Sequence, residues 1–110
     1  MKLLTKELTK RIPKLGETDG LPMSERKVPV KLFDPCGRLT LYVLEFDGED
    51  TLFGYMVSPL GPDCDELGYA SLAELAGVRN RMGLGIERDL YWDPTTPLTK
   101  AVPELASVKA

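Results

Sequence analysis

The chain has 110 residues, with 17 aspartates and glutamates against 14 lysines and arginines, a net charge of −3 and no histidine. That length supports one domain, residues 1–110, able to bury roughly 65 per cent of its unfolded surface without disulfide or metal staples. The missing histidine removes the commonest general base, the commonest zinc ligand and every Ser–His or Cys–His nucleophile, so no catalytic residue, metal ligand or cofactor is assigned.

Hydrophobic residues at 43% and charged residues at 28% are ordinary for a globular chain and argue against disorder. No apolar run approaches the ~20 residues that span a bilayer. Lys2, Lys6, Glu7, Lys10 and Arg11 interrupt the N-terminal leucines, leaving no apolar signal region. A cytoplasmic protein without membrane contact is therefore expected, and Cys36 and Cys64 are read as free thiols. Charge is unevenly placed: residues up to Lys31 are basic, whereas residues 32–75 hold nine carboxylates and one cation, Arg38. Such separation steers a charged partner, or it pairs opposite surfaces within the fold or across a homodimer.

Leu4, Leu8, Ile12 and Leu15 recur at helical spacing with Lys2, Lys6, Lys10 and Lys14 opposite, predicting an amphipathic helix from about Thr5 that Pro13 ends. Residues 16–26 read as loop. Lys27 to Phe33 alternates as a half-buried strand, with Pro29 placing it at an edge or a strand start. Asp34-Pro35-Cys36-Gly37 is a turn. Arg38 to Phe46 gives the longest strand signal, with Leu39, Leu41 and Val43 on one face and Thr40, Tyr42, Leu44 and Phe46 on the other. Asp47 to Asp50 is a hairpin connection, and Thr51 to Ser58 returns to complete a meander.

Residues 59–65 form a loop and Leu67 to Ala70 a short extended piece. Ser71 and Glu74 stand in capping-box relation, so a middle helix begins at Leu72 and runs to about Met82, with Gly83 beyond its end. Ile86 to Trp92 is predicted as a fourth strand. Thr96-Pro97 starts a short C-terminal helix, which Pro103 limits. The result is an α+β sandwich of two layers: a central antiparallel sheet of about four strands packed by N-terminal, middle (about 72–82) and C-terminal helices.

The segment Glu66-Leu67-Gly68-Tyr69-Ala70-Ser71-Leu72-Ala73-Glu74-Leu75-Ala76-Gly77-Val78-Arg79 resembles the domain of unknown function 2958 family. So do the start Met1-Lys2-Leu3-Leu4-Thr5, the Val30-Lys31-Leu32-Phe33 segment and Ile86-Glu87-Arg88-Asp89-Leu90. The resemblance covers nearly the whole chain. It implies a setting on bacterial plasmids, integrative elements and phages, and it implies no reaction.

Two clusters are candidate binding sites. Asp63, Asp65 and Glu66 on one loop, with Tyr69 nearby, offer oxygen ligands to Mg²⁺ or Ca²⁺ without matching the spacing of a calcium loop. The favoured reading is a solvated acidic loop with Glu66 paired to a basic neighbour; a surface for a basic partner needs fewer assumptions than a metal. Arg79, Arg81 and Arg88 with Tyr91 and Trp92 are residue types that anchor interfaces or single-stranded nucleic acid. Here core packing and surface ion pairs are favoured, and the acidic balance counts against nucleic acid. Gly83-Leu84-Gly85 lacks the context of a phosphate loop.

The function expected is that of a non-enzymatic accessory protein of a mobile genetic element. It is expected to bind a host or element-encoded protein, and an anti-defence role falls within that class. The alternatives are a carboxylate-based metal or small-ligand site of an enzyme at the 63–69 loop, and a DNA-associated regulator.

Overall fold

The computed structural model describes residues 2–107. Three short helices, α1 (Lys6–Arg11), α2 (Leu72–Gly77) and α3 (Leu98–Ala101), accompany five strands, β1 (Val30–Phe33), β2 (Thr40–Phe46), β3 (Thr51–Val57), β4 (Glu66–Ser71) and β5 (Glu87–Arg88). The strands form one antiparallel sheet in the order β4-β3-β2-β1-β5. The class is α+β as expected, with five strands where about four were predicted. The additional one is β4, the short extended piece, which pairs with β3 along its whole length.

Both faces of the sheet are covered, so it is a middle layer and not half of a two-layer sandwich. One face carries Val30, Leu32, Leu41, Val43 and Leu52 under Leu3, Leu4 and Ile12 from the N-terminal region and Leu75 from α2. The other carries Leu44 and Tyr55 under Leu98 and Val102, with Trp92 and Met23 packed at the margin. Because strand side chains alternate, a sheet buried on both sides reads as the near-continuous apolar run seen in β2. A register shift between Val43 and Glu45 interrupts this alternation. The bulge moves Phe46 onto the face of Leu41 and Val43, against the strict alternation predicted.

α1 begins where expected, with Thr5 Oγ1 accepting from the Leu8 amide at 3.1 Å. Its lysines face solvent. α2 is shorter than predicted, ending at Gly77 instead of near Met82. Val78 is extended, and Asn80 takes over the chain: its Oδ1 accepts from the amides of Met82 and Leu84, and its Nδ2 donates to Asp34. A short polar side chain that bonds nearby amides offers the backbone an alternative to helix. Arg79 and Gly85 then bridge, and Gly83 adopts φ 75° within that turn and not at a helix end.

The predicted strand Ile86 to Trp92 contracts to two residues. The Asp89 carboxylate accepts from the Tyr91 amide, and the Trp92 amide bonds the Asp89 carbonyl, turning the chain away. α3 is short as predicted, although Pro97 precedes it without a side-chain cap and the Thr96 hydroxyl donates to the Asp93 carbonyl. No helix of the described residues is long and apolar enough to cross a membrane.

Candidate functional site

Among the strands of the described residues, β4 alone has exposed positions. Its partner β3 is fixed by the hairpin after β2, where Asp47 Oδ1 accepts from the amides of Glu49, Asp50 and Thr51. The loop entering β4 is clamped by Arg38, the one cation in the acidic stretch. Its guanidinium bonds both Asp65 oxygens at 2.7 Å and the Ser58 carbonyl at 2.6 Å, while Asp65 Oδ1 also accepts from the Ser58 amide. The Arg38 guanidinium holds the Asp65 carboxyl below its ordinary value, helped by that amide. Asp65 is thus engaged in holding the loop.

The other end of β4 is fixed from the same hairpin. Ser71 Oγ accepts from the Glu74 amide at 3.2 Å, which is one half of the capping box, while the Glu74 side chain is exposed. Asp50 does the rest: its carboxylate accepts from the Ser71 hydroxyl and the Ala73 amide, and its carbonyl accepts from the Leu72 amide. No sequence signal pointed to Asp50. Arg38 stood out only as the lone positive charge among carboxylates.

Between these anchors β4 lies at the edge of the sheet. The Leu72 amide bond to the Asp50 carbonyl sets the alternation of the ladder, so Glu66, Gly68 and Ala70 turn their backbone groups to β3, whereas Leu67, Tyr69 and Ser71 turn theirs outward. Tyr69 is 72% exposed and rests on Phe53 with ring centroids 5.0 Å apart. On the opposite face, Gly68 leaves open space where a side chain would stand. Beside it is a depression of about 160 Å³ lined by Leu41, Met56, Cys64 and Ala70 among others. Asp63 and Glu66 are exposed at the start of the strand, and Glu49 and Glu74 are exposed near its end. Cys36 and Cys64 are exposed free thiols.

Among the described residues no group of three or more Cys, Asp or Glu side chains converges as metal ligands do. Asp63 and Glu66 project at the surface, apart from the Asp65 clamp.

Of the arginine and aromatic candidates, Arg79, Arg88 and Trp92 serve the fold, whereas Arg81 is exposed and Tyr91 stands 97% exposed. Arg79 Nη1 donates to the carbonyls of Ala76 and Val78, and Arg88 Nη1 to those of Lys2 and Leu3. Trp92 Nε1 donates to the Val28 carbonyl at 2.7 Å, its ring beside Tyr42 and 5.4 Å from Lys31 Nζ. Lys31 itself lies 3.9 Å from Asp89. Trp92 also lines a groove of about 340 Å³ between α1 and residues 88–94, with Leu8, Pro29 and Leu90.

The acidic middle of the chain is mostly occupied in the same way as Asp65. Glu45 is 2% exposed, on the face of Phe53, and accepts from the amides of Gly16 and Thr18 and from the Thr18 hydroxyl. Asp34 takes the Asn80 amide and the Cys36 N–H, which together depress its pKa. The carboxylates left at the surface of this region flank β4.

No curated protein and no solved structure matches the chain at a significant level. A family model described as "Protein of unknown function (DUF2958)" matches residues 3–108, and the chain belongs to that family.

Proposed function

We propose that the protein acts by binding another macromolecule, not by catalysis, and that the acidic margin along β4 is its contact surface. The observation that carries this reading is the distribution of its carboxylates. Asp34, Glu45, Asp47, Asp50 and Asp65 are bonded to backbone amides or to other side chains, whereas Glu49, Asp63, Glu66 and Glu74 stand exposed around one strand edge. A predominantly acidic margin with an exposed aromatic at its centre attracts a basic partner and gives it an anchor. Under this proposal the partner is a host or element-encoded protein, and the protein serves a mobile genetic element as an accessory factor. An anti-defence role, in which the acidic margin occupies a basic site on a host protein, belongs to the same proposal.

The test is capture from a bacterial lysate at physiological salt, with wild type and an Asp63→Lys/Glu66→Lys variant as parallel baits. The expected result is a protein retained by wild type and lost from the variant. Equal retention by both baits, or by neither, removes the acidic margin from the account.

A further inference from the structure

We infer that the partner segment docks on β4 as an added strand, and that this segment is an extended, basic stretch of another protein. The inference rests on the reading of the acidic margin as a contact surface and adds how recognition occurs. Three observations carry it. First, β4 is a six-residue edge strand containing no proline, no lysine and no bulge, the devices by which natural sheets blunt an edge. Second, the outward groups of Leu67 and Tyr69 lie between two anchored ends, so a docking strand meets a preformed template and not a mobile one. Third, a docked strand sets alternate side chains against the two faces of the edge, and each face has a receiving feature. One is the open space at Gly68 with its adjacent depression, and the other is the exposed ring of Tyr69.

Charge selects the occupant. Asp63 and Glu66 stand at one end of β4, and Glu49 and Glu74 at the other. The five steps from Glu66 to Ser71 span about 17 Å at ~3.4 Å per residue. A complementary segment therefore carries Lys or Arg about five residues apart, with small or apolar side chains between. A second copy of the chain does not fit. Pairing two β4 strands about a two-fold axis sets the start of each against the end of the other, acid on acid.

The experiment selects short random displayed peptides against the wild-type protein and follows amide exchange of the protein with and without an enriched peptide. The expected result is enrichment of peptides with separated Lys or Arg residues, and new protection at the Leu67 and Tyr69 amides. Tyr69→Pro, which removes an outward N–H without touching the β3 ladder, should weaken that peptide at least about fivefold more than Tyr69→Ala does. Thermal melts of both variants confirm that each is folded, and the exchange measurement stands without any variant.

Basic peptides that bind with no protection at Leu67 and Tyr69, and equally to Tyr69→Pro and Tyr69→Ala, overturn strand addition while leaving the acidic contact surface in place. Peptides indifferent to Asp63→Lys/Glu66→Lys remove both. Enrichment of acidic peptides, or of none, overturns the basic segment as occupant. Concentration-dependent dimerisation that protects the same two amides without peptide assigns the edge to a second copy.

Discussion

Glu45 is the carboxylate whose removal should be felt most. It lies on the sheet at 2% exposure and receives the Gly16 amide at 2.8 Å, the Thr18 amide at 2.9 Å and the Thr18 hydroxyl, so one side chain organises the turn that follows α1. Hydrogen bonds to an ionised acceptor contribute about 1.5–3 kcal/mol each, but Gly16 is exposed and its amide regains water when the carboxylate is lost. A net loss of about 2–3 kcal/mol for Glu45→Ala follows, or a fall in Tm of about 10 °C for a chain of this size. Burial raises the Glu45 pKa, yet the Thr18 hydroxyl, the two amides and the charge of Arg26 outweigh it and hold the group below its ordinary value of 4.5. A folded pKa below the unfolded one means that the stabilisation is complete above pH 4.5 and disappears as pH falls through the folded value. Urea denaturation of wild type and Glu45→Ala at neutral pH and through the acid range reads both quantities. A loss under about 0.5 kcal/mol at neutral pH, or a difference between the proteins that does not shrink on acidification, would refute the assignment of Glu45 as the holder of this turn.

Gly54→Ala should cost at least about 3 kcal/mol or prevent folding, because a Cβ there stands 2.1 Å from the Tyr42 carbonyl oxygen and the β2–β3 pair must part to admit it; a near-normal melt would show that the strands yield cheaply. Ser71→Ala and Asp50→Ala should each cost about 1–2 kcal/mol through lost capping of α2, and the double variant less than their sum since the two side chains bond each other; strict additivity by urea denaturation would contradict the shared cap. Millimolar Mg²⁺ or Ca²⁺ should leave Tm unchanged, because Asp65 already has both oxygens on Arg38, and a saturable rise that Asp65→Asn abolishes would restore the metal reading.

Much of the fold was legible because local chemistry and tertiary position agree. Thr5 and Ser71 cap the helices that they announced, the Asp47–Asp50 connection makes the hairpin, and the alternation of Phe53, Tyr55 and Val57 against Leu52, Gly54 and Met56 matches the two faces of β3. The misread segments are those in which a side chain captures backbone amides over a few residues. Asn80 ends the continuation of α2, and Asp89 ends β5, although apolar spacing favours longer elements in both places. Phe46 was assigned to the wrong face because a bulge has no signature in alternation, and only the pairing with β3 exposes it. The candidate site was legible in part. Asp63, Glu66 and Tyr69 gather at β4, but Asp65 does not join them as a free ligand, because it is engaged in holding the loop. Arg79, Arg88 and Trp92 form bonds to backbone carbonyls, a fate that sequence spacing cannot separate from exposure at an interface.

The two margins of the sheet are managed in different ways, and this contrast is the physical basis for looking at β4. At the β5 margin the strand stops after two residues, Asp89 turns the chain, and Arg88 ties the strand to the N-terminal segment through the Lys2 and Leu3 carbonyls, so little regular backbone remains to be extended. At the β4 margin six residues stay extended and the protection is electrostatic alone, with carboxylates at both ends. Protection by charge of one sign differs from protection by proline or a bulge in one respect. Proline and bulges refuse every incoming strand, whereas a negative margin refuses copies of itself and admits a positive strand. An edge left open in this way is guarded against self-association and still selective for one class of partner. Both properties follow from the same four carboxylates, Glu49, Asp63, Glu66 and Glu74.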